Sequence, residues 1–255
     1  MTNLILILQK TMIYATPLLI VALAGCFSER SGIINLALEG EMIFGAFIGA
    51  LCVNAWQVAG TFVDNQQLMF VLALLISGVA GALFSLLLSF AAIKLKVDQT
   101  IAGTALNMLA PAIFLTVCLV FFNQEKLVMN PMPNYVILHK GDMNPLYEIF
   151  CNKAYISTYI IFGLFVVLSI WLYKSKIGTH LRACGEHPQA ADSVGINVYK
   201  MRFLGTTISG FLAGMGGLIY ILPISTEFTC TVAGYGFLAL AVLIFGNWAP
   251  LRIAG

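Results

Sequence analysis

Long apolar runs restrict this chain more than any other feature. LMFVLALLISGVAGALFSLLLSFAAI (68–93) carries no charge and no alternation, and comparable runs recur near residues 4–26, 33–56, 101–122, 156–173, 201–222 and 232–248. A bilayer core of about 30 Å takes roughly 20 such residues per helix. Backbone in hydrocarbon must satisfy its own polar groups, which leaves helices or a closed barrel. A barrel would read as alternating segments of ~10 residues. An all-α, polytopic transmembrane helix bundle of about seven spans is therefore expected. Only 9% of residues are charged, against about 25% in soluble domains.

Lys and Arg accumulate in cytoplasmic loops. The polar stretch 174–202 holds Lys174, Lys176, Arg182, Lys200 and Arg202, which assigns it to the cytoplasm. Counting spans outward puts Arg30, Lys94, Lys96 and Arg252 on the same side, leaving Lys10, Lys126, Lys140 and Lys153 outside with the N-terminus and the loop 123–155. Pro131, Pro133 and Pro145 argue against a spanning helix in that loop. The six cysteines show no metal or redox spacing. Cys151 and Cys230 fall on the outer side, either as a disulfide or as two free thiols. Leu23-Ala24-Gly25-Cys26 imitates a lipoprotein cleavage box, but no basic n-region precedes Lys10 and further spans follow, so it reads as part of the first span.

Lipid solvates apolar side chains as well as protein does, so helices associate where small residues let backbones approach. Gly205, Ser209, Ala213 and Gly217 recur every fourth residue, with Gly210 and Gly214 beside them; Ser77, Gly81, Ser85 and Ser89 do the same, and Gly45 and Gly49 line the second span.

Polar groups inside apolar runs need a reason. On a helix starting near Ile33, Asn35 and Glu39 would share a face one turn apart, with Glu41 turned away in a structural role. Asn35 and Glu39 are either a structural clamp or the lining of a pathway. Asp98 or Thr100 is expected to cap the fourth span, and Asn107 to bridge helices or meet a polar solute. In the cytoplasmic stretch, 183–194 suits one short helix or two, broken by Gly185 and Pro188, with Pro188 in a first turn and Gly195 at the stop. It is either a lever against a cytoplasmic partner or an ordinary solvated loop.

RACGEHPQAADSVGINVYKMRFLGTTISGFLAGMGGLIY resembles the signature of permease subunits of ABC importers for nucleosides, simple sugars and branched-chain amino acids. The matching positions are Arg182, Ala183, Gly185, Pro188, Ala190, Ala191, Gly195, Ile196, Asn197, Ser209, Gly210, Ala213, Gly214 and Gly217, with His187 in place of the usual Asn. ERSGIINLALEGEM is similar to the same family through Glu29, Arg30, Gly32, Asn35, Glu39, Gly40 and Met42, with Ala37 replacing a glycine. GTALNML (103–109) and GYGFLALAVLIFGNWAP (234–250) are further matches, and the nucleoside branch fits best.

The resemblance implies a membrane-spanning permease paired with a second permease subunit, fed by an external substrate-binding lipoprotein and driven by cytoplasmic ABC ATPase subunits. The solute would be a nucleoside or a simple sugar. Arg182, Gly185, Glu186, Pro188, Ala190, Ala191 and Gly195 would form the ATPase-coupling segment, with Glu186 making a charged contact and Gly185 and Gly195 setting its shape. Asn35, Glu39 and Asn107 would shape the substrate pathway, with stacking by Phe44, Phe47 or Tyr235. Neither metal, cofactor nor nucleic acid is implied. The chain has no G-x-x-x-x-G-K-[ST] phosphate loop, so energy is expected from a partner. Family chains continue through further membrane helices, so residues 1–255 read as one permease domain lacking its C-terminal helices. The competing readings are an ion-coupled secondary transporter using Glu39 and a non-transporting membrane anchor.

Overall fold

The computed structural model describes residues 2–62, 65–129, 156–224 and 227–254. Most of loop 123–155, with Cys151, lies outside the described residues. Among them, six helices are long and apolar enough to cross a membrane. They are α1 (Thr2–Arg30), α2 (Leu38–Val58), α3 (Gln66–Ser89, extended by a π turn at Phe90–Lys94), α4 (Gln99–Val117, extended by a π turn at Cys118–Phe122), α5 (Ile156–Lys174) and, after the polar segment 175–197, α8 (Val198–Ile224). Two short helices, α6 (Lys176–Glu186) and α7 (Pro188–Ser193), fill that segment, and α9 (Tyr235–Phe245) and α10 (Pro250–Ile253) follow α8. The only strands among the described residues, β1 (Leu127–Val128) and β2 (Glu227–Phe228), pair antiparallel, joined by a Lys126–Glu227 ion pair of 2.6 Å.

Helix α8 is the centre of the bundle, and its small-residue stripe is the cause. Side chains at its glycines would overlap neighbouring backbone: a Cβ at Gly217 would lie 2.1 Å from the Met42 carbonyl oxygen on α2, and one at Gly214 would lie 2.4 Å from the Ser77 carbonyl oxygen on α3. Gly205 and Gly216 face the α1 side of the bundle, where a Cβ would meet side chains instead: Ser31 Cβ at 2.6 Å and Val21 Cγ2 at 2.4 Å. Ser77 Oγ donates to the Gly214 carbonyl at 2.6 Å, and Ser89 and Thr206 share a hydrogen bond. Small residues therefore bring three helices to one backbone, as their spacing implied.

Three sequence expectations shift. The second span starts at Leu38, not near Ile33, because α1 ends in a Schellman stop: Gly32 adopts φ +90, Gly32 N–H bonds Glu29 O at 3.0 Å and Ile33 N–H bonds Ser28 O at 3.2 Å. Residues 33–37 are then irregular. The final apolar run forms only an 11-residue helix, α9, because Gly234 in the left-handed region begins it and Gly246 ends it. In the polar segment the break falls at His187 and Gly185 stays helical, while Pro188 starts α7 and Gly195 (φ +84) stops it as expected. Asp98, not Thr100, caps α4, accepting from Thr100 and Ile101 N–H. Those two bonds favour the charged carboxylate and hold it below the usual carboxylate range.

Candidate functional site

Irregular backbone at membrane depth survives only where protein or a cavity satisfies it, and the polar residues singled out in the sequence do this for residues 33–40. Gln99 Oε1 accepts Ile34 N–H at 2.8 Å. Asn107 on α4 donates to the Leu36 carbonyl at 2.7 Å and accepts Gly40 N–H at 2.8 Å. Asn35 Oδ1 accepts Ala37 N–H at 3.0 Å. Its Nδ2 reaches both oxygens of Glu41, at 3.1 and 3.0 Å, and Ser209 Oγ at 3.0 Å. The partner of Asn35 is thus Glu41 rather than Glu39, because a side chain on the turn before α2 can fold back over the first helical turn. Asn35 and Glu41 are fully buried against α8.

Glu39 points elsewhere. Its Oε1 accepts Gly234 N–H at 2.9 Å and its Oε2 accepts Gly236 N–H at 2.6 Å, which caps the N-terminus of α9. A carboxylate at the positive end of a helix is favourable, and here it ties two broken helices together. Glycine is required at 236: a Cβ there would lie 2.4 Å from Glu39 N. Phe44 and Phe47 are packing residues, stacked on Phe84 (4.7 Å between centroids) and edge-on to Phe114 (4.9 Å). Tyr235 pairs with Tyr220 at 4.3 Å. Cys230 donates to the Pro111 carbonyl at 3.5 Å, and burial pushes its thiol up to about 11.

A second cluster lies at the end that carries Arg30 and the 174–202 segment. The Trp248 carbonyl accepts from Cys26 Sγ (3.4 Å), Arg30 Nη2 (3.2 Å) and Tyr173 hydroxyl (3.3 Å), while Trp248 Nε1 donates to Glu29. Asn247 and Trp248 both hold positive φ, at 50° and 53°, a conformation that bulky residues rarely adopt unless held. Arg30 also approaches Glu186 at 3.7 Å. Gly185 packs on the end of α1, where a Cβ would lie 2.3 Å from the Arg30 carbonyl oxygen. Arg182 lies over the Tyr173 ring at 4.7 Å and donates to its carbonyl at 3.3 Å. Of the remaining residues, Ala191 is buried, Pro188 is half-buried, and Glu186, Ala190 and Gly195 are exposed. The ERSG, RACGE and FGNWAP segments, far apart in sequence, therefore meet at one end. The Glu29–Trp248 bond joins the ERSG and FGNWAP segments, a pairing that neither stretch of sequence specifies alone.

Replacing Asn107 by leucine is expected to lower membrane abundance and uptake together. It strands a backbone donor and a backbone acceptor, each worth about 1–3 kcal/mol when buried and unpaired. Quantitative immunoblotting beside uptake tests this; normal abundance with altered solute preference would contradict it.

The model of the family described as branched-chain amino acid transport system permease component matches residues 7–255. The guanosine ABC transporter permease protein NupQ of Bacillus subtilis is 41% identical over 255 residues, covering 98% of this chain and 78% of the relative. The nucleoside ABC transporter permease protein NupC of Lactococcus lactis is 38% identical over 250 residues, covering 96% and 77%. No solved structure matches.

Proposed function

The chain belongs to the permease-component family of branched-chain amino acid transport systems, and on that premise we propose that its solute is a nucleoside, as the names of its relatives NupQ and NupC support. It is a multi-pass plasma-membrane permease subunit of an ABC importer, a transport component and not an enzyme. In this reading ATP is hydrolysed by separate cytoplasmic ATPase subunits, a second permease completes the pathway, and an external lipoprotein delivers the solute.

The observation that carries the mechanism is the continuity between the two clusters. Helices α6 and α7 present Glu186, His187, Ala190 and Val194 outward, a face suited to a groove on an ATPase. Behind that face, Gly185 rests on the end of α1, and Arg30 links Glu186 to the Trp248 carbonyl. From Trp248 the chain runs back through α9 to its Glu39 cap. A push on α6 and α7 is thereby delivered to both broken helices. Asn35, Glu39 and Asn107 hold those helices in place rather than gripping solute. The ion-coupled alternative needs the Glu39 carboxylate free for a cation, whereas both of its oxygens accept backbone N–H groups.

The Glu186→Lys substitution tests the docking face. The Glu186 side chain is 71% exposed and its approach to Arg30 is long, at 3.7 Å, so the pair adds little stability and membrane abundance should stay unchanged. ATP-dependent uptake should fall about tenfold through a mismatched charge at the ATPase contact. Unchanged coupling in reconstituted vesicles would remove Glu186 from that contact.

A further inference from the structure

Two tyrosines pair beside the Glu39 cap, and a third is coupled to them. Tyr220 on α8 and Tyr235 at the start of α9 have ring centroids 4.3 Å apart with planes tilted by 46°, and Tyr14 on α1 lies within electrostatic reach of both. None of their hydroxyls has a hydrogen-bond partner among the described residues, and none is sealed from the surface.

Their depth makes this unusual. The turn at Trp248 is tied to Arg30 at the cytoplasmic end, and the 11 residues of α9 rise about 16 Å from it. Tyr14 precedes Arg30 by 16 residues on the same helix, about 24 Å along its axis. Both distances fall inside a hydrocarbon core of about 30 Å. Tyrosine favours the interfaces of a bilayer, and a phenol hydroxyl in hydrocarbon loses its hydrogen bonds without replacement. The face that carries these three groups therefore borders a polar space. Gly234 agrees: it sits next to Tyr235 in the left-handed region, and a Cβ built there meets nothing within 4 Å.

We propose that Tyr220 and Tyr235, with Tyr14 beside them, form a stacking platform that receives the heterocyclic base of the solute partway across the membrane, their hydroxyls bonding to ring nitrogens or ribose. This deepens the nucleoside reading and rests on it. Aromatic faces hold any base by stacking, whereas a free sugar offers no π face. The platform therefore favours a nucleoside over its ribose alone, and its tilted pair tolerates purines and pyrimidines alike.

The test uses the complete transporter, with its ATPase and binding protein, reconstituted in vesicles. Wild-type uptake of adenosine against free ribose comes first: movement of ribose without adenosine would overturn the nucleoside reading itself. With adenosine moving, 8-azidoadenosine is photolysed on the wild-type complex and its adducts are mapped by mass spectrometry. Adducts on Tyr14, Tyr220 or Tyr235 are expected, and adducts confined elsewhere on the permease would overturn the platform. Tyr220→Leu and Tyr235→Leu should each cut the maximal uptake rate per unit of membrane-inserted transporter about tenfold, while Tyr220→Phe and Tyr235→Phe stay within about threefold because the ring face remains. Leucine variants that transport at the wild-type rate would also overturn it, and where a leucine variant fails to accumulate, the wild-type adduct map decides.

Discussion

Glu39→Ala is expected to strip the membrane of folded permease and to abolish uptake. The carboxylate, itself buried, satisfies the Gly234 and Gly236 N–H groups. Each donor left unpaired costs about 1–3 kcal/mol, or about 2–6 kcal/mol for the two. The loss is compounded because the same cap is the junction between α2 and α9. Glu39→Gln keeps one acceptor oxygen but turns an amide N–H toward the second donor, so it should fall between wild type and alanine. Thermal unfolding of the detergent-purified protein, scored by size-exclusion fluorescence, should rank wild type above glutamine above alanine. An alanine variant that melts like wild type would mean that Glu39 does not hold the broken helices, and the route from the cytoplasmic lever to α9 would lose its end point.

The second large effect is expected from Gly217→Ala. One methyl group there would sit 2.1 Å from the Met42 carbonyl oxygen, with Met42 C and Cα at 2.7 and 2.9 Å. The obstacle is backbone, so no rotamer change relieves it, and α8 must separate from α2. That movement also opens the neighbouring close approach, where a Cβ on Gly45 would lie 2.4 Å from Gly214 Cα. Overpacking of a tight core costs about 1–3 kcal/mol, and a shared helix interface places this site at or above the upper value. Monodisperse protein should fall at least tenfold, about the effect of 1.4 kcal/mol. Gly163→Ala on α5 is the control: nothing lies within 4 Å of a Cβ there, so accumulation should match wild type. Equal behaviour of the two variants would contradict the central place of α8.

Much of this fold was legible because its causes are local. Unbroken apolar runs specify spans, since hydrocarbon tolerates only backbone that bonds to itself. Gly210, Gly214 and Gly217 announce close helix contacts, Pro188 and Gly195 bound a short helix, and Asp98 precedes a helix start it does cap. Reading Asn35 onto a helix starting near Ile33 misplaced it, because α2 starts only at Leu38 and residues 33–37 are irregular. Once the chain leaves the helix, the 100° rule no longer says which side chains share a face.

By itself, then, the sequence determined that this is a helical membrane bundle and which helices carry the small residues that draw them together. Only the tertiary structure decided that Asn35 serves Glu41, that Glu39 caps α9, that the Trp248 carbonyl gathers Cys26, Arg30 and Tyr173, and that Tyr220 of α8 pairs with Tyr235 of α9. The reason is physical: apolarity and helix-breaking act over a few residues, whereas a buried polar group is satisfied by whichever partner packing brings within about 3 Å, and that partner can lie anywhere along the chain.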